Sequence, residues 1–335
     1  MAATKRVDLV LSGGGVKGIA LAGAVAAVAD AGYQPQRISG TSAGALVGAV
    51  LAAAAHRGAV TAGQLETLAM GIDYRKFLDQ GPLERVPLLG PAWGVLSGDG
   101  IYRGDALHAW VTDQLAEFGV STFADLAIAD EHLPPEQRYR LVVTVADVTL
   151  GELIRLPWDY QRVYGLDPDK QLVADAVRAS TAIPFFFRPA TLKSAAGTTS
   201  TLVDGGLLSN FPIDSLDRTD GRKPRWPSWG ITLLPDLPAD NEQVIPALRP
   251  LHMVTGPTLL EKVVTTILVG RDQAYLNMPA VRARTIKVDT SDVGVLDFTL
   301  SDKDKSALYN DGRVAAQQFL KTWDWADYVA RFRKV

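Results

Sequence analysis

The first 55 residues alternate between short apolar stretches and glycine-rich breaks. Residues 7–11 form a mostly apolar run that is typical of a buried parallel strand. Residues 16–30 have helical length and composition and are followed by Gly32, a residue common just past helix ends. Residues 36–39 indicate a second strand and residues 43–56 a second helix. This strand–helix–strand–helix order predicts an α/β fold with a parallel sheet.

The later part of the chain continues the pattern. Strands are predicted at residues 140–148, 201–204 and 229–234, and helices at 172–180, 259–273 and 302–320. Ser301 is placed to cap the last helix. No repeat or clear linker divides the chain. We therefore expect a catalytic core over residues 7–213, with residues 214–335 continuing the same domain.

Composition narrows the classes of function. Of the 335 residues, 47% are hydrophobic and 21% charged, which predicts a substantial buried core. Lys and Arg (34) nearly balance Asp and Glu (37), so the concentrated basic surface that a nucleic-acid partner needs is not expected. The chain has no cysteine, which excludes disulfides, a thiol nucleophile and thiolate metal ligands.

No sequence feature points to a membrane-spanning segment or a signal peptide. The apolar stretches at residues 19–31 and 43–55 are shorter than the ~20 residues that a spanning helix needs. We expect a cytoplasmic protein without a metal or cofactor. The sequence does not indicate its oligomeric state.

The sharpest chemical signal is Gly40-Thr41-Ser42-Ala43-Gly44, between the second predicted strand and the second predicted helix. A Gly-x-Ser-x-Gly motif in that setting forms a tight turn that projects the serine oxygen away from the backbone. The two glycines leave room for a substrate carbonyl, and the amides that open the helix can stabilise negative charge. Ser42 is therefore the candidate nucleophile of an acyl hydrolase.

A second glycine-rich loop, Gly13-Gly14-Gly15-Val16-Lys17-Gly18, follows the first predicted strand. Its Gly-x-Gly-x-x-Gly spacing also fits a dinucleotide fingerprint, which expects an acidic residue ~20 positions later at the end of the next strand. That strand instead leads into Ser42. The loop is better placed to offer amides to an oxyanion, with Lys17 adding positive charge. A nonhydrolytic nucleotide-binding module remains the alternative.

None of the four histidines lies in a setting that usually presents a catalytic base, such as a strand end or a position flanked by glycines. Asp204 ends a predicted strand and is followed by Gly205 and Gly206, which would allow a close approach to the Ser42 loop. Burial would raise the pKa of this carboxylate above ~3.9 and make it a better base. The order Ser42, Asp204, His252 also fits a Ser–His–Asp α/β-hydrolase, which stays open as an alternative.

Together, the Gly13–Gly18 loop, the Gly40–Gly44 turn and Asp204-Gly205-Gly206 resemble, in this order, the patatin-like phospholipase family. Residues 179–184 also resemble the segment that precedes Asp-Gly-Gly in that family. The resemblance spans residues 7–212 and implies a three-layer α/β/α fold around a mostly parallel sheet.

The resemblance also implies an activity: hydrolysis of lipid acyl esters by a Ser42–Asp204 dyad without histidine. By the same match, the amides of Gly13, Gly14 and Gly15 form the oxyanion hole. Lys17 stands where the family often has arginine, and lysine lacks the planar fork of that residue. We expect a lipid or phospholipid as partner, with peripheral contact to a membrane. Residues 185–187 and 86–96 are candidates for an acyl-chain channel.

Overall fold

The structure is a computed structural model that describes residues 5–80, 100–233 and 273–333. Its strands all belong to one sheet, in the order β5-β6-β3-β2-β1-β7-β8, with β4 also paired to β3. The strands are β1 (Lys5–Leu11), β2 (Tyr33–Thr41), β3 (Leu141–Asp147), β4 (Glu152–Leu156), β5 (Ala190–Lys193), β6 (Thr199–Asp204), β7 (Ser228–Thr232) and β8 (Thr285–Lys287).

The centre of the sheet is parallel. Strands β3, β2, β1, β7 and β8 run in one direction, and β4, β5 and β6 add antiparallel pairs at one side. Side chains alternate between the two faces of a strand. Accordingly, Leu9 and Leu11 enter the larger core cluster while Val10 enters a smaller one on the opposite face. Both faces of the sheet are therefore covered.

Helices supply that cover. They are α1 (Gly18–Asp30), α2 (Ala43–Arg57), α3 (Ala62–Gly71), α4 (Asp105–Glu117), α5 (Val173–Ser180), α6 (Gln273–Leu276), α7 (Pro279–Arg282), α8 (Asp302–Thr322) and α9 (Trp325–Phe332). The smaller cluster on the second face contains Phe211, Ile213 and Leu216 together with Leu276 of α6 and Val281 of α7. The predicted α/β/α class, with helices on both sides of a mostly parallel sheet, is confirmed.

The described residues beyond 213 are built into the same sheet and helical layer. Strand β7 pairs with β1, and β8 pairs with β7. Helix α8 packs closely on α1: a side-chain carbon added at Gly23 would lie 1.9 Å from the Tyr309 carbonyl oxygen. Ser301 caps α8 in a reciprocal capping box with Asp304, as its position in the sequence predicts.

Several predicted features can be compared directly with the structure. The strands predicted at 7–11, 36–39, 140–148, 201–204 and 229–234 correspond to β1, β2, β3, β6 and β7. Residues 15–17 form a short 3-10 turn before α1 rather than part of the helix itself. The helix predicted at 259–273 and the loop at 86–96 lie outside the described residues, apart from Gln273 at the start of α6. No helix in the described ranges has the length and apolarity to cross a bilayer.

The edge of β3 explains how the candidate site forms. Strand β4 occupies one edge of β3 along residues 143–147. On the other edge, β2 pairs with β3 up to Thr144, and β6 pairs with it from Val145 onward. Because β2 is parallel to β3 and β6 is antiparallel, the carboxyl ends of β2 and β6 point at each other. The residue that follows β2 and the residue that ends β6, Ser42 and Asp204, therefore lie next to each other.

Candidate active site

Ser42 occupies a strained turn between β2 and α2. Its backbone has φ 53° and ψ −120°, a left-handed φ that residues with a side chain rarely adopt. Such strain costs about 1–3 kcal/mol and persists only where the surroundings enforce it. Gly40 and Gly44 make the turn possible, because a side-chain carbon at either would lie within 2.3 Å of a backbone oxygen. The turn is the one that the Gly-x-Ser-x-Gly pattern predicts.

Asp204 ends β6 and is buried, with only 1% of its surface exposed. Its Oδ1 accepts a hydrogen bond from the Gly206 N–H at 2.8 Å. Gly205 lies against the Thr144 carbonyl oxygen, which a side-chain carbon there would approach to 2.3 Å. The absence of a side chain at Gly205 therefore lets β6 end directly beside β3.

The carboxyl group of Asp204 has no cationic partner in the described part of the chain. Burial raises its pKa to about 7, against the opposing effects of the nearby Ser42 hydroxyl and of the hydrogen bond from the Gly206 amide. Its Oδ2 is buried and has no fully formed hydrogen bond within the described ranges. Contacts between a nucleophile and its base are often loose before substrate binds, and tighten in the reacting complex.

The glycine-rich loop after β1 lies against Ser42. A side-chain carbon at Gly13 would be 3.2 Å from the Ser42 Cβ and 2.1 Å from the Asn210 Oδ1. The Gly13 N–H donates to the Asn210 carbonyl at 3.1 Å, so this amide is already engaged. Among the described residues, neither the Gly14 nor the Gly15 amide donates a hydrogen bond. Of the three amides expected to form the oxyanion hole, those of Gly14 and Gly15 therefore have no hydrogen-bond acceptor within the described ranges.

Lys17 lies at the end of the same loop and is only 1% exposed. Burial lowers its pKa to about 8, and the nearby Asp289 carboxylate opposes that shift. Asp289 follows β8. The same C-terminal region also contacts the glycine-rich loop directly, because the Val16 N–H donates a hydrogen bond to the Val295 carbonyl at 3.1 Å. The Lys17 charge is therefore balanced by the C-terminal part of the chain.

The described histidines form no triad with Ser42. His108 contacts Asp175 at 2.7 Å, His132 lies 3.3 Å from Asp130, and His56 is exposed near the end of α2. His252, the residue of the alternative triad, lies outside the described residues. Over the described ranges, no group of three or more acidic or histidine side chains is arranged to hold a metal ion.

Two of the three phenylalanines considered for an acyl channel, Phe186 and Phe187, are part of the core, and Phe185 is half-buried. Phe186 and Phe187 are 2% and 3% exposed. The ring of Phe186 stacks on Phe298 at 5.1 Å and packs against Tyr102. These two side chains therefore stabilise the fold and do not line an open channel.

Two residues of the site were missed in the sequence. Asn210 holds the glycine-rich loop through its backbone carbonyl, and Ser180 accepts a hydrogen bond from the Ser42 N–H at 2.9 Å. Both residues lie close to predicted motifs in the sequence. Ser180 belongs to the 179–184 segment, and Asn210 follows Asp204 by six positions. Neither position indicates which backbone group the side chain or carbonyl would meet.

Comparisons with known proteins identify the family of the chain. The family model for patatin-like phospholipase matches residues 9–217. The uncharacterised protein YqhO of Bacillus subtilis is 35% identical, over 95% of this chain and 99% of that protein. An uncharacterised NTE family protein of Mycobacterium tuberculosis is 29% identical over 95% of this chain, which spans 47% of that longer protein.

A solved structure extends the comparison to the fold. VipD from Legionella pneumophila superimposes with a TM-score of 0.50 at 19% identity, covering 95% of this chain and 67% of that one. At this level of identity the likeness concerns the fold alone.

Proposed function

We propose that this chain, which belongs to the patatin-like phospholipase family, hydrolyses lipid acyl esters through a Ser42–Asp204 dyad. The class of activity, a lipid acyl hydrolase, is supported by family membership. The observation that carries the dyad is the meeting of two strand tips on one edge of β3, which brings a strained serine beside a buried carboxylate. The substrate would be a phospholipid, a lysophospholipid or a related lipid ester at a membrane surface.

In the proposed reaction the Ser42 Oγ attacks the ester carbonyl carbon while its proton passes to the Asp204 carboxylate. Collapse of the tetrahedral intermediate breaks the bond to the alcohol, and the alcohol leaves with the proton from Asp204. A water molecule then gives a proton to Asp204 and attacks the acyl-enzyme. Collapse of the second intermediate returns that proton to the Ser42 oxygen and releases the fatty acid.

The environment of Asp204 supports its role as the base. A carboxylate with a pKa near 4 is a weak proton acceptor at neutral pH, whereas a base works best with a pKa near the working pH. Burial raises the pKa of Asp204 to about 7. At pH 7 to 8, half or more of the molecules would therefore carry an ionised and strongly basic carboxylate.

The negative charge of the intermediate needs donors that are free before the reaction begins. The amides of Gly14 and Gly15 fit this need, and the Ala43 amide adds the N-terminal end of α2. Lys17 would contribute positive potential from behind the loop.

A fluorophosphonate ester probe and a screen of lipid classes would test the proposal. The wild-type chain should label stoichiometrically and release fatty acid from at least one phospholipid or lysophospholipid class. Ser42→Ala should do neither while keeping its melting temperature. Labelling that persists in Ser42→Ala would contradict the proposed nucleophile.

The alternative triad is tested in the same assay. His252→Ala should keep its labelling rate, because the dyad does not use a histidine. A folded but inactive His252→Ala enzyme would replace the dyad with a Ser–His–Asp mechanism.

A further inference from the structure

Ser180 lies where the nucleophile strand and the base strand meet. It ends α5 and has no exposed surface. Its hydroxyl oxygen accepts the hydrogen bond from the Ser42 N–H at 2.9 Å. The same hydroxyl donates to the Thr144 carbonyl at 2.7 Å. One buried hydroxyl thus joins the strained turn to the middle strand of the site.

The position of Thr144 gives this hydrogen bond its significance. Thr144 is the last β3 residue that pairs with β2, and Val145 is the first that pairs with β6. Ser180 is therefore hydrogen-bonded to β3 at the point where the strand paired with β3 changes from β2, which leads to Ser42, to β6, which ends at Asp204. A displacement of Ser180 would move the turn relative to that point.

The same short segment also holds the base. Two residues after Ser180, the Ala182 carbonyl accepts a hydrogen bond from the Asp204 N–H at 2.9 Å. Ser180 thus binds the backbone of Ser42, and Ala182 binds the backbone of Asp204. No other segment of the described chain hydrogen-bonds to both of these backbone amides.

We propose that Ser180 is a positioning residue that sets the separation between the Ser42 oxygen and the Asp204 carboxylate. It touches neither substrate nor the transferred proton. The hydroxyl satisfies a buried amide that the unusual backbone of Ser42 leaves without a partner in regular structure, and so favours the strained conformation over a relaxed one. The inference rests on the proposed dyad, because it assigns Ser180 a role only if these two groups react together.

The test is the kinetics of fluorophosphonate labelling in Ser180→Ala. A change that only destabilises the protein lowers the fraction of molecules that label, whereas a change in positioning lowers the rate constant of those that do. We expect full labelling at a rate constant reduced ~10- to 100-fold, the scale of loss that follows a small misplacement of reacting groups. Thr181→Val is the matched control.

Thr181 suits this purpose because its buried hydroxyl donates only to carbonyls of its own helix, Val177 and Arg178. Thr181→Val should therefore keep both the amplitude and the rate constant of the wild type. If Thr181→Val slows labelling as much as Ser180→Ala, the effect comes from general loosening of the segment and the inference is wrong.

Ser180→Cys provides a second variant if Ser180→Ala does not fold. Its thiol preserves the packing but hydrogen-bonds weakly, so the rate constant should fall between those of Ser180→Ala and the wild type. The chain has no other cysteine, and resistance of this thiol to alkylation would show that the site remains closed. A rate constant within about twofold of wild type in every folded Ser180 variant would overturn the inference.

Failure of the inference and failure of the dyad are distinguishable. If Ser42→Ala abolishes labelling while Ser180→Ala labels normally, the proposed nucleophile stands and only the positioning role falls. If Ser42→Ala still labels, the proposed function itself is wrong.

Discussion

Two of the buried aspartates in the sheet, Asp8 and Asp204, differ in the partners of their carboxylates. Asp8 on β1 is 2% exposed and Asp204 on β6 is 1% exposed. Asp8 accepts hydrogen bonds from the Arg37 N–H and from its guanidinium, the closest at 2.5 Å. Within the described ranges, the Asp204 carboxylate has the Gly206 amide and the Ser42 hydroxyl beside it and no cation. One carboxylate is paired with a cation and the other is not.

Under the proposed mechanism, this difference separates a structural carboxylate from a reactive one. Burial raises the pKa of both groups, and at Asp8 the Arg37 guanidinium opposes the shift. A raised pKa alone is therefore not evidence of catalysis. What distinguishes Asp204 is that, among the described residues, only a serine and an amide compensate its charge, so that in the proposed dyad a proton can be taken up and released beside Ser42.

The largest expected effect is on activity in Asp204→Asn. Loss of the base should lower the rate of lipid hydrolysis by roughly 10³- to 10⁴-fold. The free energy of unfolding at pH 8 should rise by roughly 2–4 kcal/mol, because the folded protein no longer holds a desolvated charge. Turnover assays and urea unfolding measure the two effects. A loss of both activity and stability would contradict the assignment of Asp204 as an unpaired base.

Asp147→Asn is the matched control for that prediction. Asp147 is also fully buried on β3, but its carboxylate accepts hydrogen bonds from the Tyr164 hydroxyl and from the Thr149 and Leu150 amides. This substitution should reduce stability and leave the labelling rate of the folded fraction unchanged.

The paired carboxylate should respond in the opposite way. Asp8→Ala leaves Arg37 buried without its partner, and we expect the free energy of unfolding to fall by about 3–5 kcal/mol. The rate constant of fluorophosphonate labelling in the folded fraction should not change. Replacing both residues, by Asp8→Leu with Arg37→Met, should recover part of the lost stability. A labelling defect in the folded single variant would show that the two carboxylates are not functionally separate.

The sequence predicts this contrast only in part. Local patterns suffice for β1, β2 and α2, because apolar runs and glycine breaks specify buried strands and tight turns over a few residues. They also mark Ser42 and Asp204 as candidates, and the family resemblance joins the two into a predicted dyad. They do not show that Asp8, inside an apolar run, has a partner in Arg37, since the two residues are 29 positions apart.

Other features of the site depend on contacts between residues far apart in the sequence, which local patterns do not predict. The shared edge of β3 depends on how β2 and β6 divide its hydrogen-bonding groups, and the bond between Ser42 and Ser180 spans 138 positions.

Helix α3 is not predicted from the sequence for a different reason. Its capping box, formed by Thr61 and Gln64, is visible in the sequence. However, only Leu65 and Ala69 of the helix are buried, so the helix has a weak apolar pattern.

The pH dependence of labelling sharpens the assignment of the base. Asp204 must be ionised to accept the serine proton, and burial raises its pKa to about 7. The rate constant should therefore fall about tenfold for each pH unit below 7 and level off above it. Wild-type labelling rates measured from pH 5 to pH 9 test this. A midpoint near 4, the ordinary range of an aspartate, would contradict the raised pKa.

Stability should change with pH in the direction opposite to activity. The folded protein retains a proton on Asp204 between its unfolded pKa near 3.8 and its folded pKa of about 7, whereas the unfolded chain does not. The stability of the wild type relative to Asp204→Asn should therefore decline as pH rises through this window and stay constant above it.

The smallest expected effect concerns Lys17, a buried charge whose partner Asp289 lies at the surface. If its ammonium group acts from behind the loop, Lys17→Met should slow labelling by about tenfold or less, because the Gly14 and Gly15 amides remain. At pH 7 the lysine is charged in both the folded and unfolded states, so its burial lowers stability. Lys17→Met should raise the free energy of unfolding there by roughly 1–2 kcal/mol, and the gain should shrink as pH rises above the folded pKa of about 8. A rate loss approaching that of Asp204→Asn would instead place the Lys17 ammonium directly on the oxyanion.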